Sequence, residues 1–329
     1  MGNTCYINTV VQCMAACKRL RTFMINAKMI VRDPVFSALS RMFSHASGTA
    51  PISTKDLARA LYVIQQDFSN LHIHRQNDIQ EFYTMLLQVI HKKTGYVGGQ
   101  GIVNAQSPFD VKSNRSFDKD HEGLTSFVSM YMAGQDVHQI TCNHCRKHHH
   151  NFESYSTVYV DIPDDADTCY VSDSLQDAYV ASQVSDEWRC DGCNMQRGGQ
   201  RVTAAWKTPH ILCVCIRRFR VAFDPVQGAT YKKNNATAVV PDRITFPTRN
   251  AYRSLSCPRR TYRLRSVACH IGTMRKGHYT AIVAGSDGDG DGGWYLVDDD
   301  HVERYHVSEG SHNLKLKNAY MLFYEADLT

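Results

Sequence analysis

A cysteine near the start of the chain has the setting of a nucleophile. Residues 2–6 are G-N-T-C-Y, and apolar residues at helical spacing follow them. We expect Thr4 or Asn3 to cap this helix, so that Cys5 lies at the helix start. The positive end of the helix dipole favours the thiolate, which is the nucleophilic form of cysteine. A buried structural cysteine is the alternative for Cys5 considered alone.

A histidine late in the chain could supply the base. Residues 276–279 are K-G-H-Y and open a strand-like segment. The glycine lets another part of the chain approach closely, and an imidazole changes charge near neutral pH. Because the chain has sixteen histidines, His278 by itself is weak evidence for catalysis.

Three aspartates follow the histidine and could orient it. Residues 294–300 are W-Y-L-V-D-D-D. If this segment forms a hairpin with the strand of His278, the imidazole and the carboxylates lie at the same end, as in a nucleophile–base–acid triad. Because side chains alternate along a strand, Asp298 and Asp300 would share one face and Asp299 would take the other. A solvated strand end is the alternative.

Two C-x-x-C pairs predict a structural metal site. They are formed by Cys142, Cys145, Cys190 and Cys193. Each pair presents two thiolates from a tight turn, and four thiolates satisfy tetrahedral Zn²⁺. The segment between the pairs is longer than the roughly 15–20 residues usual for such sites, so it must leave and return. His144 and residues 148–150, all histidines, are alternative ligands.

A glycine- and aspartate-rich patch lies between the histidine and aspartate motifs. Asp287, Asp289 and Asp291 fit the opening of a calcium-binding loop, with Asp298 at its last ligand position. That position usually holds a glutamate, and the flanking segments have strand patterns rather than helical ones. The sequence therefore favours a solvated hairpin turn over a calcium site.

The composition narrows the class of protein. Apolar residues make up 43% and charged residues 21%, which is typical of a globular chain. The twelve cysteines do not form the compact framework of a short secreted protein, so we expect a reducing compartment, cytoplasmic or nuclear. The net charge of +5 gives no support to nucleic-acid binding, and no apolar run is long enough for a membrane span.

A zinc-ribbon module for nucleic acid is the interpretation from a different class. It requires a basic face with interleaved aromatic residues around the cysteine pairs. Arg146 and Lys147, followed by three histidines, are only a fragment of such a face. The sequence therefore predicts neither nucleic acid nor membrane as a partner.

The elements that must position these residues change in type along the chain. Helical spacing dominates up to about residue 95, and residues 96–125 have the composition of a long loop. Strand-like alternation follows in residues 127–132, 155–162, 210–216, 263–269, 279–283, 294–297 and 319–324. Helices first and strands later predict an α+β fold.

Taken together, these segments resemble one enzyme family. Its Cys box is similar to G-N-T-C-Y-I-N-T-V-V-Q from Gly2, and its His box to K-G-H-Y-T-A-I-V, W-Y-L-V-D-D-D and A-Y-M-L-F-Y. Between them, Q-N-D-I-Q-E-F at residues 76–82, H-I-L-C-V-C-I-R-R-F at 210–219 and I-T-F-P at 244–247 match in order. The chain thus resembles the catalytic domain of the ubiquitin-specific proteases over nearly its whole length.

The resemblance implies a papain-like cysteine protease that cleaves after the C-terminal glycine of ubiquitin. A single domain over residues 1–329 is expected, with a helical thumb at about 1–125, zinc-bearing fingers at about 126–205 and mainly palm at about 206–329. By position, Cys5 is the nucleophile, His278 the general base and Asp298 the orienting acid, while Asp299 assists the oxyanion. The implied partners are ubiquitin and ubiquitinated proteins.

The same resemblance assigns the binding residues. Asp78 and Glu81 match family positions that engage the basic tail of ubiquitin, and Tyr279 lines a narrow channel for its two glycines. The four cysteines of the two pairs match the family's structural zinc site at the fingertips.

One departure from the family pattern concerns the oxyanion. The family usually has an asparagine five residues before the cysteine, and here that position would precede Met1. Either the chain is a fragment of a longer protein or that donor is missing, and loss of one such donor costs on the order of 100- to 1000-fold in rate. A weak or inactive ubiquitin-binding scaffold of the same fold, or a protease for a ubiquitin-like modifier, is therefore the alternative function.

Overall fold

The structure is a computed structural model that describes most of the chain. The described residues are 4–27, 31–46, 62, 77–97, 107–163, 165–179, 181–224, 228–247, 259–273, 276–285, 293–307 and 312–327. Asn3 and the three aspartates considered for a calcium loop lie outside them. The capping of α1 by Asn3 and the solvated hairpin turn at the aspartates therefore stay predictions.

Helices occupy the first part of the chain. They are α1 (Cys5–Ala15), α2 (Lys18–Ala27), α3 (Pro34–His45), α4 (Ile79–Thr94), α5 (Pro108–Asp120), a π-helix (Val128–Met132) and the short α6 (Val171–Asp177). Helix α3 begins where Asp33 accepts a hydrogen bond from the backbone N–H of Phe36 at 3.0 Å, with Pro34 in the first turn. Within the described residues, no helix is both long and apolar enough to cross a membrane.

Strands occupy the second part. They are β1 (Tyr96–Val97), β2 (Leu124–Thr125), β3 (Gly134–Cys142), β4 (His148–Tyr155), β5 (Val158–Asp161), β6 (Thr168–Tyr170), β7 (Ser182–Val184), β8 (Gly199–Lys207), β9 (Ile211–Arg217), β10 (Phe219–Asp224), β11 (Gly228–Lys233), β12 (Thr237–Pro241), β13 (Arg243–Phe246), β14 (Arg260–Gly272), β15 (Gly277–Ala284), β16 (Trp294–Asp298), β17 (His301–Tyr305), β18 (Asn313–Leu316) and β19 (Ala319–Ala326). Helices first and strands later confirm the predicted α+β class.

Two larger sheets carry the candidate site residues, and three smaller ones among the described residues have the orders β1-β2, β10-β11 and β18-β12-β6. An eight-stranded sheet has the order β17-β16-β15-β14-β19-β9-β5, with β13 paired to β14. A separate four-stranded antiparallel sheet has the order β4-β3-β8-β7 and carries both cysteine pairs near one end. The large sheet is mixed, because β5 pairs with β9 in parallel while the other pairs are antiparallel.

The large sheet is buried on both faces. Cys213, Ala281 and Phe323 point to one face and pack against α1–α4, while alternate residues such as Leu212 and Leu322 pack against the opposite layer with β12 and β18. All eight residues of β19 are buried, which is expected for a central strand covered on two sides.

A buried ion pair joins the helices to this sheet. Glu325 on β19 is 4% exposed and accepts hydrogen bonds from Nε of Arg265 at 3.1 Å and from the backbone N–H of Arg19 at 2.8 Å. The guanidinium of Arg19 also donates to the carbonyl of Ala326 at 3.2 Å. The start of α2 is therefore fixed to the end of β19 by charge-assisted hydrogen bonds.

The loop expected over residues 96–125 is wrong in its middle part. Residues 108–120 form α5, because Ser107 accepts a hydrogen bond from the backbone N–H of Asp110 at 3.2 Å and Pro108 supplies a helical φ. Its apolar residues are few, yet Phe109 packs edge-on against Trp206 at 5.0 Å. Capping residues, rather than a repeated apolar pattern, signal this helix.

The strand expected at residues 127–132 is also wrong. Ser126 and Ser129 cap each other reciprocally, each hydroxyl accepting the other's backbone N–H, at 3.2 and 2.9 Å. Phe127 and Tyr131, four residues apart, stack with ring centroids 4.7 Å apart. An apolar run of this length is ambiguous between strand and helix, and the local serine contacts decide for the helix.

Replacing the buried carboxylate tests the connection between helices and sheet. Glu325→Ala is expected to lower the free energy of unfolding by about 3–5 kcal/mol, because the largely buried guanidinium of Arg265 and the backbone N–H of Arg19 lose the carboxylate that accepts their hydrogen bonds. Chemical denaturation measures the change. Lys92→Ala is the control, since its ion pair with Glu122 is exposed and such pairs contribute about 0–1 kcal/mol. A loss for Glu325→Ala as small as the control's would contradict the prediction.

Candidate functional site

Cys5 is the first residue of α1 and is 7% exposed. The carbonyl of Thr4 accepts the first helical hydrogen bonds, from Ile7 at 3.1 Å and Asn8 at 3.2 Å. The expected side-chain cap by Thr4 is wrong, because its hydroxyl makes no capping hydrogen bond. The prediction that Cys5 lies at the start of a helix is confirmed.

The environment of Cys5 favours the thiol. Burial raises the pKa of Cys5 above its usual value, and the charge of Asp299 raises it further. Hydrogen bonds from the backbone N–H groups of Tyr279 and Tyr6 lower it, by a smaller amount. The stabilisation of a thiolate expected from the helix start is therefore outweighed by desolvation.

His278 and Asp298 are brought together by a strand pair. Strands β15 and β16 are antiparallel neighbours, with Ala281 opposite Val297, as the predicted hairpin requires. The Nε2–H of His278 donates to Oδ1 of Asp298 at 2.5 Å. With Nε2 committed to the carboxylate, Nδ1 is the ring nitrogen left to take a proton.

Cys5 and His278 lie on two different elements. Helix α1 packs against β15, and Tyr279, the residue after His278, lies next to Cys5, because its backbone N–H lowers the pKa of that thiol. Among the residues that the structure describes, no hydrogen bond joins Sγ of Cys5 to His278. The free protein holds the two groups in the same site with a thiol and an imidazole that are not yet paired.

The second aspartate lies closer to the site than strand alternation predicts. Strand β16 ends at Asp298, and Asp299 adopts a left-handed conformation with φ 50°. The turn brings ligand atoms of His278, Asp298 and Asp299 within 4.8 Å of one another. The expectation that Asp299 would point to the other face is wrong, because the alternating strand geometry stops one residue earlier.

Asp299 is influenced by its neighbours and is held through its backbone. Burial raises the pKa of its carboxyl, His278 lowers it, and the carboxylates of Asp298 and Asp300 raise it further. The side-chain Nδ2 of Asn8 on α1 donates to the backbone carbonyl of Asp299 at 2.9 Å. The turn is thus connected to the helix that carries Cys5.

Asp78 is committed to structural contacts. Its Oδ1 accepts the backbone N–H of Gln80 at 2.7 Å and caps α4, while its Oδ2 accepts the hydroxyls of Tyr320 at 2.9 Å and Tyr279 at 3.4 Å. Burial and the nearby carboxylate raise the pKa of Tyr279, so its hydroxyl stays protonated. Of the two acids expected to bind a basic tail, Glu81 is the exposed one.

A second histidine packs behind the site and was missed by the sequence analysis. The ring of His270 on β14 lies 4.7 Å from that of Tyr279 and 5.2 Å from that of Phe219. Burial, Lys233 and other positive groups lower the pKa of His270 to about 4, so this ring is neutral near pH 7. A Cβ at Gly277 would lie 2.0 Å from its Nε2, which is the close approach that this glycine predicted.

The four paired cysteines form one cluster at the end of the smaller sheet. Their sulfur atoms lie within 4.8 Å of one another, with Cys142 to Cys193 at 3.9 Å and Cys145 to Cys190 at 3.7 Å. Four sulfurs on a tetrahedral Zn²⁺ at about 2.3 Å are about 3.8 Å apart. The cluster therefore fits a tetrahedral metal ion.

The two turns that present these cysteines have the same backbone geometry. Arg146 donates its backbone N–H to the carbonyl of Cys142 at 3.1 Å, and Asn194 does the same to Cys190 at 2.7 Å. Arg146 and Asn194 are left-handed, with φ 60° and 59°. The repeated turn aims four sulfurs at a common centre.

The thiols cannot all ionise without a cation. A hydrogen bond from the backbone N–H of Cys145 lowers the pKa of Cys142 to about 7. A similar bond from Met195 lowers that of Cys193, but burial and the three neighbouring thiols raise it to about 11. A bound divalent ion removes this repulsion, which is a second sign that the donor set suits a metal.

The histidines considered as alternative ligands have other contacts. Nδ1 of His148 lies 3.0 Å from the hydroxyl of Thr141, and Nε2 of His150 lies 3.0 Å from Oε1 of Gln139. His149 approaches the cluster, with Nε2 3.1 Å from Sγ of Cys190. That distance suits a hydrogen bond to a thiolate, so His149 supports the cluster from outside.

Comparison with known families identifies the chain's relatives. The family model described as ubiquitin carboxyl-terminal hydrolase matches residues 1–324. The chain belongs to this family. The match covers the cysteine, the histidine and aspartate segments and both cysteine pairs.

Curated relatives within the ubiquitin carboxyl-terminal hydrolase family extend beyond this chain. A probable ubiquitin carboxyl-terminal hydrolase 4 of Schizosaccharomyces pombe is 24% identical over 99% of this chain and 57% of its own length. Ubiquitin carboxyl-terminal hydrolase 2 of Homo sapiens is also 24% identical, over 99% of this chain and 54% of its own length. The chain thus spans about half the length of these relatives.

Solved structures share the fold. A SAGA deubiquitinating module containing Ubp8 bound to monoubiquitin superimposes with TM-score 0.75 and 19% identity, over the whole of this chain and 68% of that chain. The same module bound to ubiquitin aldehyde gives TM-score 0.74 and 20% identity, over 100% and 69%. These likenesses confirm the papain-like α+β fold that the sequence resemblance implied.

The reactivity of Cys5 should follow its raised pKa. Alkylation by iodoacetamide is expected to be slow at neutral pH and to rise about tenfold per pH unit to beyond the usual midpoint of a thiol. Asp299→Asn is expected to lower the midpoint, because the negative charge that opposes the thiolate is removed. Peptide mass spectrometry measures modification at Cys5 separately from the exposed Cys145.

The neighbouring aspartate provides the control for this measurement. Asp300→Asn changes the same turn but removes a charge that is not among the main influences on the pKa of Cys5, so the midpoint should change much less. A parent midpoint below pH 8, or equal shifts in the two variants, would contradict the assignment.

Proposed function

We propose that this chain is a cysteine-type deubiquitinating peptidase, which hydrolyses the peptide or isopeptide bond after the C-terminal glycine of ubiquitin. The observation that carries the proposal is the hydrogen bond of 2.5 Å between His278 and Asp298, placed beside Cys5 by the contact of Tyr279. Membership of the ubiquitin carboxyl-terminal hydrolase family supports ubiquitin as the modifier. Solved modules of the same fold have been captured with monoubiquitin and with ubiquitin aldehyde.

The proposed chemistry uses each group in its observed setting. Nδ1 of His278 takes the proton of Cys5, and the carboxylate of Asp298 stabilises the resulting imidazolium. The thiolate attacks the carbonyl carbon of the last glycine, the imidazolium protonates the leaving amine, and water then hydrolyses the thioester. Because the thiol is favoured in the free protein, bound substrate must bring Cys5 and His278 into contact.

The oxyanion of this reaction needs hydrogen-bond donors. We assign one to the backbone N–H of Cys5, which is at the unsatisfied end of α1. Asp299 lies within 4.8 Å of the His278–Asp298 pair. We assign it the role of assisting the oxyanion through a water molecule, since a carboxylate cannot itself donate a hydrogen bond.

Recognition of the ubiquitin tail is assigned to the surroundings of Asp78. Tyr279 and Tyr320 stack with ring centroids 6.5 Å apart and both bind the same carboxylate, which makes a rigid aromatic wall. Such a wall leaves room for glycine and excludes larger side chains. Glu81, exposed in the first turn of α4, is placed to attract the basic residues of the tail, while Asp78 acts mainly by holding the wall.

The domain division follows the same proposal. The helices up to about residue 125 form the thumb, the smaller sheet within about 126–205 forms the fingers, and the remaining strands up to 329 form most of the palm. The cluster at the fingertips is assigned to structural Zn²⁺, held by Cys142, Cys145, Cys190 and Cys193. When bound, the ion cross-links the two turns. A cytoplasmic or nuclear location, with ubiquitinated proteins as partners, is consistent with this assignment.

A covalent probe tests the proposed function directly. Ubiquitin carrying a C-terminal alkyne is expected to form an adduct seen by intact mass on the parent chain and not on Cys5→Ala. Asp298→Ala should keep ubiquitin binding but lose turnover of a ubiquitin–coumarin substrate by about 10⁴-fold, because the imidazole loses the hydrogen-bond partner that orients it.

The alternatives give different results in the same assay. Tight ubiquitin binding without adduct on the folded parent would favour an inactive scaffold. An adduct with a ubiquitin-like modifier alone would reassign the substrate. Absence of both binding and adduct would refute the proposal.

Metal analysis tests the assignment of the cysteine cluster. Purified parent protein is expected to contain one zinc ion per chain, and Cys190→Ser should lose most of it, because three thiolates hold Zn²⁺ less tightly than four. His144→Ala is the control, since His144 is exposed between two of the cysteines and is expected to change nothing. Elemental analysis after dialysis against a chelator gives the zinc content. Equal zinc in both variants would overturn the assignment.

A further inference from the structure

Asn8 connects the helix of the nucleophile to the turn of the acid. It lies three residues after Cys5 on α1 and is 6% exposed. Its Nδ2 donates to the backbone carbonyl of Asp299 at 2.9 Å, across 291 positions of sequence. Because residues three apart share a helix face, the side chains of Cys5 and Asn8 face the same part of the large sheet.

The side-chain amide of Asn8 makes its hydrogen bond to the turn at Asp299. A carbonyl accepts hydrogen bonds and cannot donate them, so the amide nitrogen must face Asp299. Within the described part of the chain, Oδ1 of Asn8 is buried and has no hydrogen-bond partner. An aliphatic residue would avoid that cost in a helix whose residues are all buried.

The turn held by Asn8 has a conformation that needs support. Asp299 is a non-glycine residue with φ 50°, a left-handed geometry that surrounding contacts must stabilise. The preceding residue, Asp298, carries the carboxylate that meets His278 at 2.5 Å. A change of a few tenths of an ångström in the carbonyl of Asp299 is therefore passed directly to that hydrogen bond.

From these contacts we propose that Asn8 is a positioning residue, which holds the left-handed turn at Asp299 so that Asp298 stays aligned with His278. Helix α1 then fixes the position of Cys5 directly and the position of Asp298 through the side-chain amide of Asn8. Among the described residues, the side chain of Asn8 makes its hydrogen bond to Asp299 and none to Asp78, Glu81 or Tyr279, so it should act on the chemical step alone. This inference rests on the proposed function for its kinetic consequence, but not for its structural one.

Two variants remove the donor in different ways. Asn8→Asp keeps the size of the side chain and places a carboxylate against the carbonyl of Asp299. Asn8→Ala removes the polar group altogether and serves where the first variant does not fold. Val10→Ala is the matched control, because Val10 is fully buried on the same helix but lies two residues on, on the opposite side from Asn8.

The structural readout is the far-downfield proton NMR signal of the imidazole N–H that bonds to Asp298. It is assigned by its absence in His278→Ala and requires no ubiquitin. We expect this signal in the parent and in Val10→Ala, and expect it to be lost or broadened in both Asn8 variants. Thermal denaturation separates this local effect from general loss of stability.

The kinetic readout is turnover of a ubiquitin–coumarin substrate. Both Asn8 variants are expected to lower kcat by about 100-fold, the usual effect of a small misplacement of a catalytic group. KM should stay within about twofold, since tail binding is untouched. Val10→Ala should keep kcat close to that of the parent even though it melts earlier.

Each result bears on the inference. Loss of the imidazole signal with a fall in kcat supports it. An Asn8→Asp variant that keeps both the signal and kcat overturns it, as does a rise in KM with unchanged kcat. If the parent turns over no ubiquitin substrate but the signal depends on Asn8, the proposed function fails while the positioning role stands.

Discussion

The contact between helix α1 and the large sheet is the constraint on which the rest of the structure depends. All eleven residues of α1 are buried, so the helix is surrounded by protein rather than lying on a surface. It is fixed to the sheet by directional bonds at several levels: Cys5 to Tyr279, Asn8 to the turn at Asp299, and the carbonyl of Cys13 to the hydroxyl of Ser266 at 2.8 Å. A shift of α1 along its axis would therefore disrupt the contacts of Cys5, Asn8 and Cys13 together.

The same contact explains why the resting site holds a thiol. The burial that fixes α1 also strips water from Cys5, and desolvation disfavours its charged form more than three backbone N–H groups, those of Tyr279, Tyr6 and Cys5 itself, favour it. Nearby, Asp298 keeps its hydrogen bond to His278, so the orientation of this imidazole does not depend on the ionisation of Cys5.

The cysteine cluster lies in the middle of the chain, next to a sheet that is stabilised differently. The smaller sheet has only a small apolar core, formed by Val137, Phe152 and Ala204 with two aromatic neighbours. A core of this size gives limited stability to an extended element, and a metal ion bound to the two turns would compensate. The two regions therefore differ in their stabilisation, which is burial near Cys5 and, under the zinc assignment, coordination at the cluster.

The sequence by itself determined which residues are candidates for chemistry and the order of the elements. A cysteine at a helix start, a histidine and an aspartate on neighbouring strands and two C-x-x-C pairs follow from local spacing, which folding preserves. Apolar periodicity alone predicted a loop and a strand where the fold has α5 and the π-helix. In those two segments a few serine contacts outweigh the apolar pattern.

Tertiary structure decided how those residues are tuned. The raised pKa of Cys5, the commitment of Asp78 to two tyrosines and the packing of His270 against Gly277 all join residues far apart in the chain. The position of Asp299 beside His278 depends on a left-handed turn and on an amide from α1. Desolvation and long-range hydrogen bonds have no local signature, so only the packed fold could establish them.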